Sequence, residues 1–163
     1  MRLYTYIMFV FLCTACASSN INNSSSTAKN VEYQSMEFTD VRVKAEQGES
    51  LAVLELARRY ADGDQVRQDA LVALDLYGIF AESDSDLANI AQTRIGKLYM
   101  EGVPPLKQDF VEAYIWFDKV ITGQGREVIV DRERVLRLHN FARLNMSDAE
   151  RVELQQRLDN KTY

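Results

Sequence analysis

Residues 95–120, IGKLYMEGVPPLKQDFVEAYIWFDKV, place two amphipathic runs on either side of the only two prolines in the chain. Ile95, Leu98 and Tyr99 recur at helical spacing before the break. Phe110, Ala113, Tyr114, Phe117 and Val120 do so after it, so the stretch reads as helix, loop, helix. Gly102 stands where a helix-closing glycine belongs. Pro104 and Pro105 cannot continue a helix and extend the residue before them. DFVE (109–112) has the capping-box pattern, with Asp109 positioned to accept the free amides of the next first turn.

The same punctuation occurs upstream in LARRYADGDQVRQDALVALDLYGIF (56–80). Leu56, Tyr60 and Gly63 lie 39 residues before Ile95, Tyr99 and Gly102, and Asp69, Ala73 and Tyr77 lie 40 before Asp109, Ala113 and Phe117. Self-similarity at a period of about 20 to 50 residues marks a repeat protein, in which each unit buries its apolar face against its neighbours. The small residues Ala57, Gly96, Ala73 and Ala113 let helices approach closely, with aromatics filling the space beside them. One hairpin is therefore a tile in a stack.

The order of small pair, Tyr, Gly, loop, Asp, Ala and Trp/Tyr pair resembles the Sel-one-like repeat, a relative of the tetratricopeptide repeat. VKAEQGES (43–50) resembles the end of a preceding repeat, and RVLRLHNFARLNMSDAERVELQQRL (134–158) the degenerate helix pair that finishes such chains. Ala57 stands where the family has glycine, and the loop ADGDQV and the junction AESDSD are poorer in glycine than the family pattern. The resemblance implies an all-α, right-handed α/α solenoid occupying residues 36–163. Full repeats are expected at about 50–83 and 86–122, with the terminal pair at about 126–160. Helices are expected near 37–47, 50–62, 69–82, 86–101, 109–122, 126–144 and 147–160, the last start supported by the capping box SDAE (147–150). Two full repeats are few for an independent stack, so the end pieces must serve as caps.

The N-terminus, MRLYTYIMFVFLCTACASS (1–19), carries one basic residue followed by an apolar run of seven, Tyr6 to Leu12. That is too short for a bilayer-spanning helix, which takes about 20 residues, and reads as an export signal. CTAC (13–16) resembles a bacterial lipoprotein signal with Cys16 as the lipidated residue after removal of residues 1–15. Ala15-Cys16-Ala17 also fits an ordinary cleavage site that would discard Cys16. By the same resemblance, Ala17 after the cysteine sends the lipoprotein to the outer membrane, facing the periplasm. Residues 16–35, rich in Ser and Asn, are expected to be a flexible tether, because such a composition buries too little surface to offset its ordering entropy.

Both cysteines lie in the signal, so no disulfide is expected in the folded part. The chain has 163 residues, 19 basic, 24 acidic and one histidine, and a net charge of −5. An acidic chain without a basic, aromatic-studded stripe argues against nucleic acid and against adhesion to anionic lipid, leaving the membrane to be reached only through the lipid anchor. No phosphate loop, nucleophile elbow or zinc-protease motif is present. No cofactor, metal or catalytic residue is expected. His139, the single histidine, has no acid or cysteine at ligand spacing and reads as the flank of a terminal helix. Asp69 and Asp109 read as helix caps rather than paired catalytic carboxylates. Trp116 and Tyr114 read as inter-helix packing rather than a sugar platform.

What remains is a surface. The first helix of each tile tends to line the concave, partner-binding face of a solenoid. Arg58 and Lys97 occupy equivalent places there, with Arg94 a turn from Lys97, so the three form a candidate basic stripe for an acidic or C-terminal carboxylate group. The alternative is local pairing, Glu55 with Arg58 or Arg59 and Lys97 with Glu101. The leading expectation is a non-enzymatic envelope lipoprotein that binds a protein or peptide as scaffold or adaptor. A pilotin-like escort of an outer-membrane secretion or pilus component, distinguished by a dedicated apolar groove, is the second. A cell-wall or β-lactam hydrolase is the third.

Overall fold

A computed structural model describes residues 32–123 and 130–160. The signal, Cys16 and most of the expected tether lie outside the described residues. Those described contain a helical turn at 32–35 and seven longer helices: α1 (Phe38–Glu46), α2 (Ser50–Asp62), α3 (Ala70–Ala81), α4 (Ala88–Glu101), α5 (Phe110–Thr122), α6 (Arg132–Asn145) and α7 (Asp148–Asp159). Each helix from α1 to α5 packs on the next in sequence, which is the arrangement of an all-α solenoid. None of them is long and apolar enough to cross a membrane.

The two tiles are built from the same local bonds. Gly63 and Gly102 are left-handed (φ 73° and 66°) and return their amides to Arg59 and Leu98, so that α2 and α4 close identically. Asp69 N donates to Tyr60 O at 2.9 Å, and Asp109 N to Tyr99 O at 2.8 Å. Gln68 and Gln108 each donate a side-chain amide back to the end of the first helix, to Ala61 O and Met100 O, both at 2.8 Å. Asp69 Oδ1 then accepts from Leu71 N and Val72 N, and Asp109 Oδ1 from Glu112 N at 2.8 Å. The reciprocal half of the 109–112 capping box is not made, because the Glu112 carboxylate turns to Arg157 of α7 at 2.6 Å. The second box is complete: Ser147 Oγ accepts from Glu150 N, and Glu150 Oε2 from Ser147 N.

Most of the core lies between α2, α3 and α4, around Leu54, Ala57, Tyr77, Phe80 and Ile95. A second cluster joins α5 to α6 through Phe117, Val120, Val135 and Ala142. Gly96 is obligatory at the α4–α5 crossing: a Cβ there would sit 2.6 Å from Cε1 of the buried Phe117 ring. In the first tile Ala57 takes the equivalent place, in the same cluster as Tyr77.

Both ends depart from expectation. Tyr33, assigned by composition to the tether, is buried, so the packed body reaches back at least to residue 33. At the other end the expected helix at 126–144 begins only at Arg132, behind an Asp131 cap that accepts from Arg134 N; residues 126–129 lie outside the description. Nor do the last two helices form a packed pair. Instead α7 leaves α6 at Met146–Ser147 and lies over α5, where Leu154 and Met146 cover Val111 and Ile115.

Candidate partner-binding surface

Arg58, Arg94 and Lys97 divide between the two readings made from the sequence. Arg58 gives Nε and Nη2 to Glu55 at 2.9 and 2.7 Å, Nη1 to Asp62 at 2.9 Å and a second Nη2 bond to Asp64 at 2.6 Å. Its Glu55 hydrogen bond pushes its pKa still higher, and its own bond to Asp64 draws that carboxylate below the usual range. Three carboxylates thus surround this cation, fastening the end of α2 to the loop that follows.

Lys97 makes the local contact expected of it, to Glu101 at 3.5 Å. Arg94 has no carboxylate partner among the described residues. The two line one shallow recess of about 20 Å³ with Asp62, Tyr77, Leu98 and Glu101. Burial raises the pKa of Tyr77 there, and the nearby Arg94 charge opposes it. The structure therefore brings Arg94 and Lys97 together and leaves Arg58 committed elsewhere.

Glu55 and Arg59 make the local pair that the sequence offered, but the pair is buried, with Arg59 0% exposed. Arg59 Nε donates to Glu55 Oε1 at 3.0 Å and Nη1 to Gln65 Oε1 at 2.9 Å, while Nη2 reaches Met36 O at 2.6 Å and Tyr33 O at 3.1 Å. A cation at the C-terminal end of the 32–35 turn satisfies carbonyls that no helix continues to meet. The Tyr33 hydroxyl donates to Glu49, and this bond raises its pKa to about 12. Gln65, at φ 60°, accepts from Phe38 N as well as from Arg59, tying the start of α1 to the same cation.

A concavity follows from the divergence of α6 and α7. It encloses about 520 Å³ between Leu144 and Met146 on one side and Leu154 and Leu158 on the other, with Tyr114 of α5 in the floor. Arg143 and Arg151 stand at its margin. Leu144 is 67% exposed, and Phe141 and Val152 are also large, apolar and open to solvent nearby. Among the described residues, Arg151 pairs only with the exposed Asp148, at 3.3 Å, and no carboxylate pairs with Arg143. This groove had no periodic signature in the sequence, since it is made by a change of direction at two residues.

The remaining aromatics pack as read. Tyr114 stacks on His139, ring centroids 4.0 Å apart, and Trp116 is half-buried beneath Lys119 Nζ at 4.0 Å. His139 is held below its ordinary pKa by burial, against the opposing charge of Asp118, whose carboxylate lies 3.6 Å from Nε2. Among the described residues, no three His, Cys, Asp or Glu side chains are grouped to hold a metal.

No protein-family model matches the chain, and no curated protein matches it. Among solved structures it is similar to a Sel1 repeat protein from Oxalobacter formigenes, with 22% identity and a TM-score of 0.38 over 72% of this chain and 96% of that one.

Proposed function

We propose that this chain is a non-enzymatic adaptor of the bacterial envelope, held at the outer membrane by a lipid on Cys16 and docking a protein or peptide on its helical-repeat surface. The observation that carries the reading is the groove between α6 and α7, whose exposed leucines are flanked by two arginines that little else engages. Apolar patches rimmed by polar groups mark interaction sites, and a preformed groove costs little ordering on binding. Arg94 and Lys97 supply a second, lesser contact for an acidic group. Arg58 acts on it only by positioning, through Asp62 at the end of α2 and Asp64 in the loop that follows.

A dedicated apolar groove is also what a pilotin-like escort requires, so that reading stands second, and the identity of the partner separates the two. The test is site-specific photocrosslinking in cells producing the full-length protein, with the crosslinker at Leu144, at Arg94 and, as a control, at Gln156 on the exposed side of α7. One dominant envelope protein captured from Leu144, and lost on Arg143→Glu/Arg151→Glu, is the expected result. Capture no stronger than from Gln156, or of cell-wall fragments alone, refutes docking in the groove. Anchoring is tested separately: Cys16→Ser releases the protein from the membrane fraction if the lipid holds it there.

A further inference from the structure

The second tile shows how the bare face of the first is to be covered. On α5, the face carrying Val111 and Ile115 is buried beneath α7, through Leu154 and Met146, and Arg157 of α7 reaches Glu112 at its edge. The residues 40 earlier are Leu71 and Asp75 of α3. Nothing among the described residues covers them. Leu71 is 51% exposed, and Ile79, one turn beyond Asp75, is 60% exposed.

The composition of α3 (ALVALDLYGIFA) sharpens the contrast. It is apolar almost all round, the pattern of a helix enclosed on every side, and Asp75 is its only charge. Leu71, Asp75 and Ile79 follow each other at i, i+4 and i+8, which aligns them in one strip. No basic side chain among the described residues pairs with Asp75. Beside Ile79, Gly78 leaves open space where a Cβ would meet nothing within 4 Å, so another backbone can approach closely.

We infer that the Leu71–Asp75–Ile79 face of α3 is a docking site for an amphipathic helix of a partner protein, one bearing a Leu/Met ridge and a Lys or Arg that meets Asp75. The ridge is the chemistry by which α7 covers the equivalent face of α5. The cation is required because Asp75 stands where the covered face has Ile115, and a carboxylate enclosed by a helix without a partner is strongly unfavourable. The chain's own α7 does not serve, since its ridge is occupied on α5. This surface is separate from the α6–α7 groove.

The probe is a fluorescein-labelled, hydrocarbon-stapled helix with a Leu/Met ridge flanked by lysines, titrated against the full chain by anisotropy beside the same helix with glutamates for the lysines. The lysine helix is expected to bind at least about tenfold more tightly. Asp75→Lys should invert that preference, an exchange that mere damage to the fold would not produce. Ile79→Asp and, independently, Leu71→Gln should weaken the lysine helix with unchanged melting, whereas Leu144→Asp in the groove should not. Equal binding to the parent chain and both strip variants, no preference between the helices, or no binding up to about 1 mM overturns the assignment. So does concentration-dependent dimerisation abolished by Ile79→Asp, which would put a second copy of the chain on this face.

Discussion

Replacing Arg59 by leucine tests whether the first tile is closed by one buried cation. The guanidinium is fully enclosed and joins Glu55, Gln65 and the carbonyls of Tyr33, Gln34 and Met36, so five separate groups lose their common partner. Breaking a buried pair by removing one member costs about 3–5 kcal/mol. Here the lower end applies, because Glu55 keeps two bonds from Arg58 at 2.9 and 2.7 Å, and leucine restores part of the packing. A loss of about 3 kcal/mol in a domain of this size lowers the melting temperature by about 10–15 °C. The loss should also be directional. Hydrogen exchange should accelerate first at residues 33–38, which Arg59 holds directly and through Gln65, while α4 and α5 keep their protection. Thermal melting by circular dichroism, with exchange read by mass spectrometry, measures both. A drop under about 1 kcal/mol, or uniform loss of protection across all helices, refutes the assignment. Glu55→Gln in a double-mutant cycle should show strong coupling to Arg59→Leu, as residues of one network do.

Two glycines should respond oppositely to alanine. Gly96→Ala drives a Cβ to within 2.6–3.0 Å of three atoms of the buried Phe117 ring and should destabilise by about 1–2 kcal/mol net of the helix-propensity gain. Gly78→Ala meets nothing and should stabilise by about 0.5–1 kcal/mol, both measured by urea denaturation. For His139 the folded pKa lies below the unfolded one, because burial disfavours the cation more than Asp118 favours it. Its contribution is present above about pH 6.5 and is lost as the pH falls below that value, since the unfolded chain takes up the proton first. His139→Phe, which retains an aromatic ring against Tyr114, should therefore show a flatter melting temperature than the parent between about pH 7 and 5. Parallel curves refute it.

The contrast between legible and illegible parts runs along sequence separation. Asp69, Asp109 and the Ser147–Glu150 box act on amides two or three residues away, and Gly63 and Gly102 turn the chain where a helix ends, so all could be read one by one. The repeat spacing of 39 and 40 then determined that the hairpins stack. Asp131 carried the same kind of local signal, a cap ahead of RERV, and could have placed the start of α6. Glu55 and Arg59 could be paired from their spacing, but their burial depends on residues 33–36, folded back from more than twenty positions away. Glu112 was read as half of a capping box, yet Arg157, 45 residues on, draws its carboxylate away.

By itself, then, the sequence determined the helices, most of their ends and their repetition, because those rest on bonds within a turn and on the period of apolar residues. Tertiary structure alone decided which charges are enclosed and which faces stay open. Leu71 and Val111 hold equivalent places in equivalent helices, and one is exposed and the other buried solely because α7 turns away from α6 to cover α5. That turn exposes the groove beside Leu144, and it is set by the packing of Leu154 and Met146 on a surface that no local pattern encodes.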